Sequence, residues 1–124
     1  MDLLRNSLKR YLPFIALALV VACKRQEAAV PAGDPNHGKQ LIDQYGCVTC
    51  HIIPGMAGPK GMIGPSLEHV ASRPTLAGKI QNSPASMEQY IQNPQAANPQ
   101  NSMPNLGVKP DEARDIAAYL RTLK

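Results

Sequence analysis

The chain has 124 residues, room for one domain, and its 4% aromatic content with no Trp is thin material for a conventional core. Domains this small bury a limited share of their surface and often need a staple or a cofactor, so the composition admits a cofactor-centred core without requiring one. The net charge of +4 does not point to nucleic acid, which needs a concentrated basic face: residues 1–22 contribute Arg5, Lys9, Arg10 and Asp2, and the rest carries 10 basic against 8 acidic side chains.

In chain order, residues 1–10 are basic and Leu12 to Ala22 is apolar apart from Pro13. Eleven residues rise about 16 Å as a helix, roughly half of a bilayer core, so residues 1–22 read as an export signal rather than a spanning helix. The segment ends Val20-Val21-Ala22-Cys23. This resembles the lipobox of bacterial lipoproteins, in which cleavage precedes a cysteine that is then diacylated; Val20 departs from the more usual Leu. Acylation explains an unpaired cysteine in an exported chain, and several acyl chains on one residue anchor it stably to a membrane. Ordinary cleavage near Ala22, leaving Cys23 as a free thiol, is the alternative. Residues 23–33 then read as a lipidated flexible tether, and residues 34–124 as the folded domain.

Asp34-Pro35 is a cap followed by Pro at the first helical position, and Gly38, Leu41, Ile42 and Tyr45 recur at helical spacing. Gly46 can end this helix, and His37 lies off its apolar stripe as a solvated surface residue. Cys47-Val48-Thr49-Cys50-His51 follows at once. This is the C-x-x-C-H pattern of covalent haem: two thiols three residues apart can add to the two vinyl groups of one porphyrin edge, with His51 placed under the iron. A dithiol redox site has no need of His51. A zinc site wants a second ligand pair, and Cys23 is the one cysteine left over.

Further along, Ser83 and Pro84 open a short helix whose inward face is Met87, Tyr90 and Ile91. Asn98 to Gly107 is an irregular loop containing Met103-Pro104. The last helix begins at Pro110, carries Asp111 and Glu112 in its first turn and Arg121 and Lys124 at its end, and presents Ala113, Ile116, Ala117, Leu120 and Leu123 on one face; Lys109 is a poor cap for it.

From residue 34 to the C-terminus the sequence resembles the class I cytochrome c family. The resemblance rests on the C-x-x-C-H motif, on Gly64-Pro65-Ser66-Leu67, on the spacing of Arg73, Gly78 and Asn82, and on Met103-Pro104. It implies an all-α fold of three to five helices wrapped around one covalent haem c. It also implies a close crossing of the terminal helices, with Gly38 and Ile42 against Ile116 and Tyr119. By the same resemblance the Pro65 carbonyl accepts the His51 Nδ1–H, and Arg73 and Tyr90 belong to the haem environment at a propionate. Asn82 is weaker, since Asn82-Ser83-Pro84 already makes sense as a turn and cap.

The second axial ligand has several contenders. Met56 and Met62 fall in the loop that doubles back under the haem, Met87 reads as core, and His69 comes soon after the proximal loop and reads as surface. Met103 matches the family's distal ligand in position, with Pro104 stiffening the loop. The resemblance therefore implies His51 and Met103 as iron ligands, a pair that raises the reduction potential relative to bis-His. A filled sixth position argues against oxygen or peroxide chemistry.

The function expected is that of a mono-haem carrier of single electrons in a membrane-associated respiratory chain, not an enzyme, with no small-molecule substrate. It would pass electrons from a quinol-oxidising complex or dehydrogenase towards a terminal oxidase, on the periplasmic side of a bacterial membrane and anchored at Cys23. The alternative is an electron-transfer haem subunit of a periplasmic dehydrogenase complex oxidising sulfur compounds or alcohols. A haem-based sensor would require a labile Met103.

Overall fold

A computed structural model describes residues 32–58 and 63–124. The signal segment 1–22, the lipidation residue Cys23, most of the tether and Met62 lie outside the described residues. None of the described helices is long and apolar enough to cross a membrane.

Helix α1 is Pro35–Gln44. Asp34 caps it, accepting the N–H of Asn36 at 2.8 Å and of His37 at 3.3 Å, so two of the donors a helix start leaves unpaired are satisfied. It ends at Tyr45, and Gly46 follows at φ 68°, a left-handed turn that glycine adopts without steric cost. The chain then enters a 3₁₀ turn, Cys47–Thr49, so the motif cysteines leave the helix on a tight, defined bend.

A second 3₁₀ turn, Val70–Ser72, leads to a two-residue antiparallel ladder of β1 (Thr75–Leu76) and β2 (Ile80–Gln81), paired Thr75 with Gln81 and Leu76 with Ile80. This hairpin is the one departure from an all-α description among the described residues, and it turns through Ala77 and Gly78, both at positive φ. Asn82 fastens its base, donating from Nδ2 to the carbonyls of Val70 and Arg73 at 2.8 Å each. Helix α2 (Pro84–Gln92) is capped by Ser83, whose Oγ accepts the Ser86 N–H at 3.1 Å; α3 (Pro94–Ala97) is a single turn capped by Asn93; α4 is Pro110–Leu120.

Helix α4 packs on both α1 and α2. Leu41 and Ile42 from α1, Met87 and Ile91 from α2, and Ala113, Ile116, Ala117 and Leu120 from α4 are all buried. Each large aliphatic chain removed from water contributes about 1.5–3 kcal/mol, and no charged side chain among the described residues is buried with them. The α1–α4 crossing depends on Gly38: a Cβ there would collide with the Asp115 carbonyl and lie 2.9 Å from the Ile116 nitrogen. The close approach is thus made to Asp115 and Ile116. Tyr119, expected in the same contact, packs partly buried against the core and donates its hydroxyl to the Pro54 carbonyl at 2.8 Å.

His37 and Lys109 stand as expected, on the surface and without a side-chain cap, and each is also joined to a partner. His37 is exposed, yet its Nδ1 lies 2.7 Å from Asp115 Oδ2, while Asp115 Oδ1 accepts the Asp34 N–H at 2.8 Å; it ties α1 to α4 rather than being merely solvated. Lys109 offers no side-chain cap, but Glu112 reaches back to accept its N–H at 3.1 Å and also the Tyr45 hydroxyl at 2.6 Å. The Tyr45 hydrogen bond, and then the Lys109 N–H, hold the Glu112 carboxyl below its ordinary range; the same bond pushes Tyr45 up, so the proton stays on the phenol.

Candidate functional site: a haem-binding cavity

The segment after α1 and the loop before α4 face a common cavity of about 400 Å³, within the range of cofactor sites. Cys47, Cys50, His51, Pro65, Tyr90 and Met103, residues far apart in the chain, all line it. Ile42, Met87, Ile116 and Leu120 make part of its wall, so the hydrophobic core and the cavity share side chains.

His51 is held from two directions. Its backbone N–H donates to the Cys47 carbonyl at 3.0 Å, continuing the 3₁₀ turn, and its Nδ1 lies 2.7 Å from the Pro65 carbonyl oxygen. A carbonyl only accepts, so Nδ1 carries a proton, and in the neutral ring Nε2 then has the lone pair with which imidazole binds a metal. Gly64 is part of this arrangement, since a Cβ at that position would stand 2.7 Å from Nδ1 and 3.0 Å from Nε2 of the ring. Backbone bonds close the loop around it: Gly64 N–H to the Cys50 carbonyl at 2.9 Å, and Leu67 N–H to the Ile52 carbonyl at 2.8 Å.

Met103 is held differently. Its N–H donates to Asn101 Oδ1 at 3.0 Å and its carbonyl accepts from Gln95 Nε2 at 2.6 Å. Asn101 in turn donates from Nδ2 to the Tyr90 hydroxyl at 2.6 Å. Arg73 lines the cavity while its Nη2 donates to the carbonyls of Ser66 at 2.6 Å and Glu68 at 2.8 Å, bracing the Pro65 loop. Of the other contenders, Met87 is buried in the core although it also lines the cavity, Met56 packs partly buried against that core, and His69 points Nδ1 at the Lys124 carbonyl, 2.7 Å away.

The donor set fits haem c. Two thiols of the right spacing and a histidine fixed in its metal-binding tautomer border one largely apolar cavity that Met103 also lines. The competing chemistries fit less well. A redox-active dithiol has no use for a histidine oriented in this way, and burial pushes the Cys47 thiol up against a smaller lowering by a backbone hydrogen bond. Among the described residues no three His, Cys, Asp or Glu side chains converge as a bare metal ion would need.

The family model for cytochrome c matches residues 36–124. The chain belongs to the cytochrome c family. Haem c is accordingly its cofactor, one per chain, attached through the Cys-x-x-Cys pair that Cys47 and Cys50 supply. The protein is an electron carrier, not an enzyme. It is 33% identical over 122 residues to cytochrome c2 of Rhodomicrobium vannielii, covering 87% of this chain and 94% of that one. With cytochrome c-552 of Bradyrhizobium diazoefficiens it shares 26% over 108 residues, 87% of this chain and 92% of the other. A third relative, cytochrome c oxidase subunit 2 of Alkalihalophilus pseudofirmus, is 29% identical over 90 residues; this chain spans 72% of itself but only 25% of that protein's length. Among solved structures, cytochrome c2 from Rhodobacter sphaeroides superposes with a TM-score of 0.57 at 26% identity, covering 73% of this chain and 96% of that one. The all-α cytochrome c fold expected from the sequence is the fold observed.

Sequence reading missed Gln95, Asn101 and the contact of Gly64 with the His51 ring. Asn101 had a local signal. Asn98, Asn101 and Asn105 each accept the N–H two residues on, three successive side-chain turns of the kind Asn favours. Gln95 had none, since its partner is set by how α3 sits beside the loop.

Proposed function

We propose that His51 and Met103 are the axial ligands of the haem iron, with Pro65 orienting His51 and with Arg73 and Tyr90 lining the haem environment. The observation that carries this reading is the His51 Nδ1–Pro65 contact of 2.7 Å, which leaves Nε2 free beside the two motif cysteines in a cavity that Met103 shares. When bound, haem c supplies a one-electron iron couple. The protein's part is to hold both ligands in one geometry for both oxidation states, to exclude water with apolar walls, and so to keep reorganisation small.

The setting proposed is a membrane-associated respiratory chain on the periplasmic side of a bacterial membrane, with a lipid anchor at Cys23. Electrons would arrive from a quinol-oxidising complex or dehydrogenase and leave towards a terminal oxidase. The likeness to a protein named cytochrome c oxidase subunit 2 supports the acceptor side of this reading. Detergent extraction of the native protein, followed by assays of which complexes reduce and oxidise it, tests the role. Oxidation by a terminal oxidase supports it; a stable hetero-complex reduced by a dehydrogenase's own substrate overturns it in favour of a fixed subunit. Replacement Cys23→Ser is expected to release the protein from membranes, and continued membrane integration would refute the lipid anchor.

A further inference from the structure

We infer that Gln95 and Asn101 are positioning residues that latch Met103 in place and so determine how readily a competing ligand displaces its sulfur. The inference rests on the proposed ligation by Met103. Among the described residues, no backbone–backbone bond involves the chain from Ser102 to Val108, and Pro104 has no N–H to offer. Both polar groups of Met103 are instead satisfied by side-chain amides, Asn101 Oδ1 on the N–H and Gln95 Nε2 on the carbonyl.

These amides are themselves fixed. With Oδ1 committed to the Met103 N–H, the Asn101 amide must turn Nδ2 towards α2 and α3, where it donates to the Tyr90 hydroxyl at 2.6 Å and approaches the Pro94 carbonyl at 3.4 Å. Gln95 projects from α3, whose start is capped by Asn93 and anchored by the buried Pro94. Met103 is therefore joined to α2 and α3 through two side chains. Removing either leaves the loop backbone one fewer tie and an unpaired polar group, while the sulfur itself is untouched. Displacement of Met103 requires this loop to lift, so loss of a tie lowers the cost of displacement and leaves the ligand-bound resting state spectroscopically the same.

The test is titration of the ferric holoprotein with imidazole, which competes for the sixth position, in the wild type and in Gln95→Leu, Asn101→Ala, Met103→Ala and Gln92→Leu. Gln92 is the control: its Nε2 also donates to a carbonyl, that of Glu88 at 3.1 Å, but within α2 and away from the loop. Gln95→Leu and Asn101→Ala are expected to keep the weak far-red band of Met-ligated ferric haem before imidazole is added, and each to bind imidazole about tenfold more tightly than wild type. Gln92→Leu should titrate as wild type even if its thermal midpoint falls as far. Affinities of Gln95→Leu and Asn101→Ala equal to that of Gln92→Leu, with Met103→Ala binding far more tightly, would overturn the latch and leave the ligand assignment standing. A far-red band that persists in Met103→Ala would overturn the assignment and the latch together.

Discussion

The two loops that carry the proposed axial ligands are built on opposite plans. Around His51 the chain is bonded mainly to itself: the His51, Gly64 and Leu67 N–H groups all go to backbone carbonyls, the imidazole also takes a backbone carbonyl as its partner, and Arg73 adds a side-chain brace at the Ser66 and Glu68 carbonyls. Around Met103 the ties are side-chain amides, from Asn101 and Gln95. A backbone bond survives almost any substitution, whereas a side-chain bond disappears with one. The proposed His51 ligand thus rests mainly on backbone bonds, and the proposed Met103 ligand on side-chain bonds that a substitution can remove.

The largest expected effect strikes the scaffold that both loops share. Gly38→Ala drives a methyl into the Asp115 carbonyl and should destabilise the holoprotein by about 3 kcal/mol, read by denaturant unfolding, with both ligand signatures lost in one transition. Gly64→Ala tests the His51 side alone. The added carbon crowds the imidazole and should cost about 1–3 kcal/mol, and the Nδ1–Pro65 bond should weaken, seen as a shifted imidazole resonance in the paramagnetic NMR spectrum. Met103→Ala tests the other side: the far-red band should vanish and the reduction potential should fall, while covalent haem survives on a denaturing gel. Loss of covalent haem from that variant would mean that the two sides are not separable.

The smallest effect lies outside both loops. The His37 hydrogen bond, and then the Asp34 N–H, hold the Asp115 carboxyl below its ordinary value of 3.8. A carboxyl depressed in the folded state stabilises above its unfolded pKa, and that contribution is lost as pH falls through the folded value. Acid unfolding should therefore steepen below about pH 4, and Asp115→Asn should flatten that limb by less than about 1 kcal/mol, because the pair is near the surface. The far-red band should follow unfolding in both proteins, not precede it.

What could be read from the sequence follows the same division. Asp34, Ser83 and the Pro residues after them marked helix starts because capping is local, and the C-x-x-C-H spacing announced haem because the chemistry needs adjacent residues. The terminal-helix contact at Gly38 came from family likeness and holds, with Asp115 and Ile116 as its other half. The His37–Asp115 pair, Gln95 on Met103 and the β1–β2 hairpin were not legible. Each depends on where separate elements come to rest, and a two-residue ladder leaves too short a period to detect.

The Gly38 crossing also bears on the order of events during synthesis. Helix α1 takes its main seat against α4, and among the described helices α4 comes latest in the sequence. Cys47, Cys50 and His51 thus emerge well before the core that flanks them can close. Until α4 has packed, the two thiols lack the wall that Ile116 and Leu120 complete around the cavity.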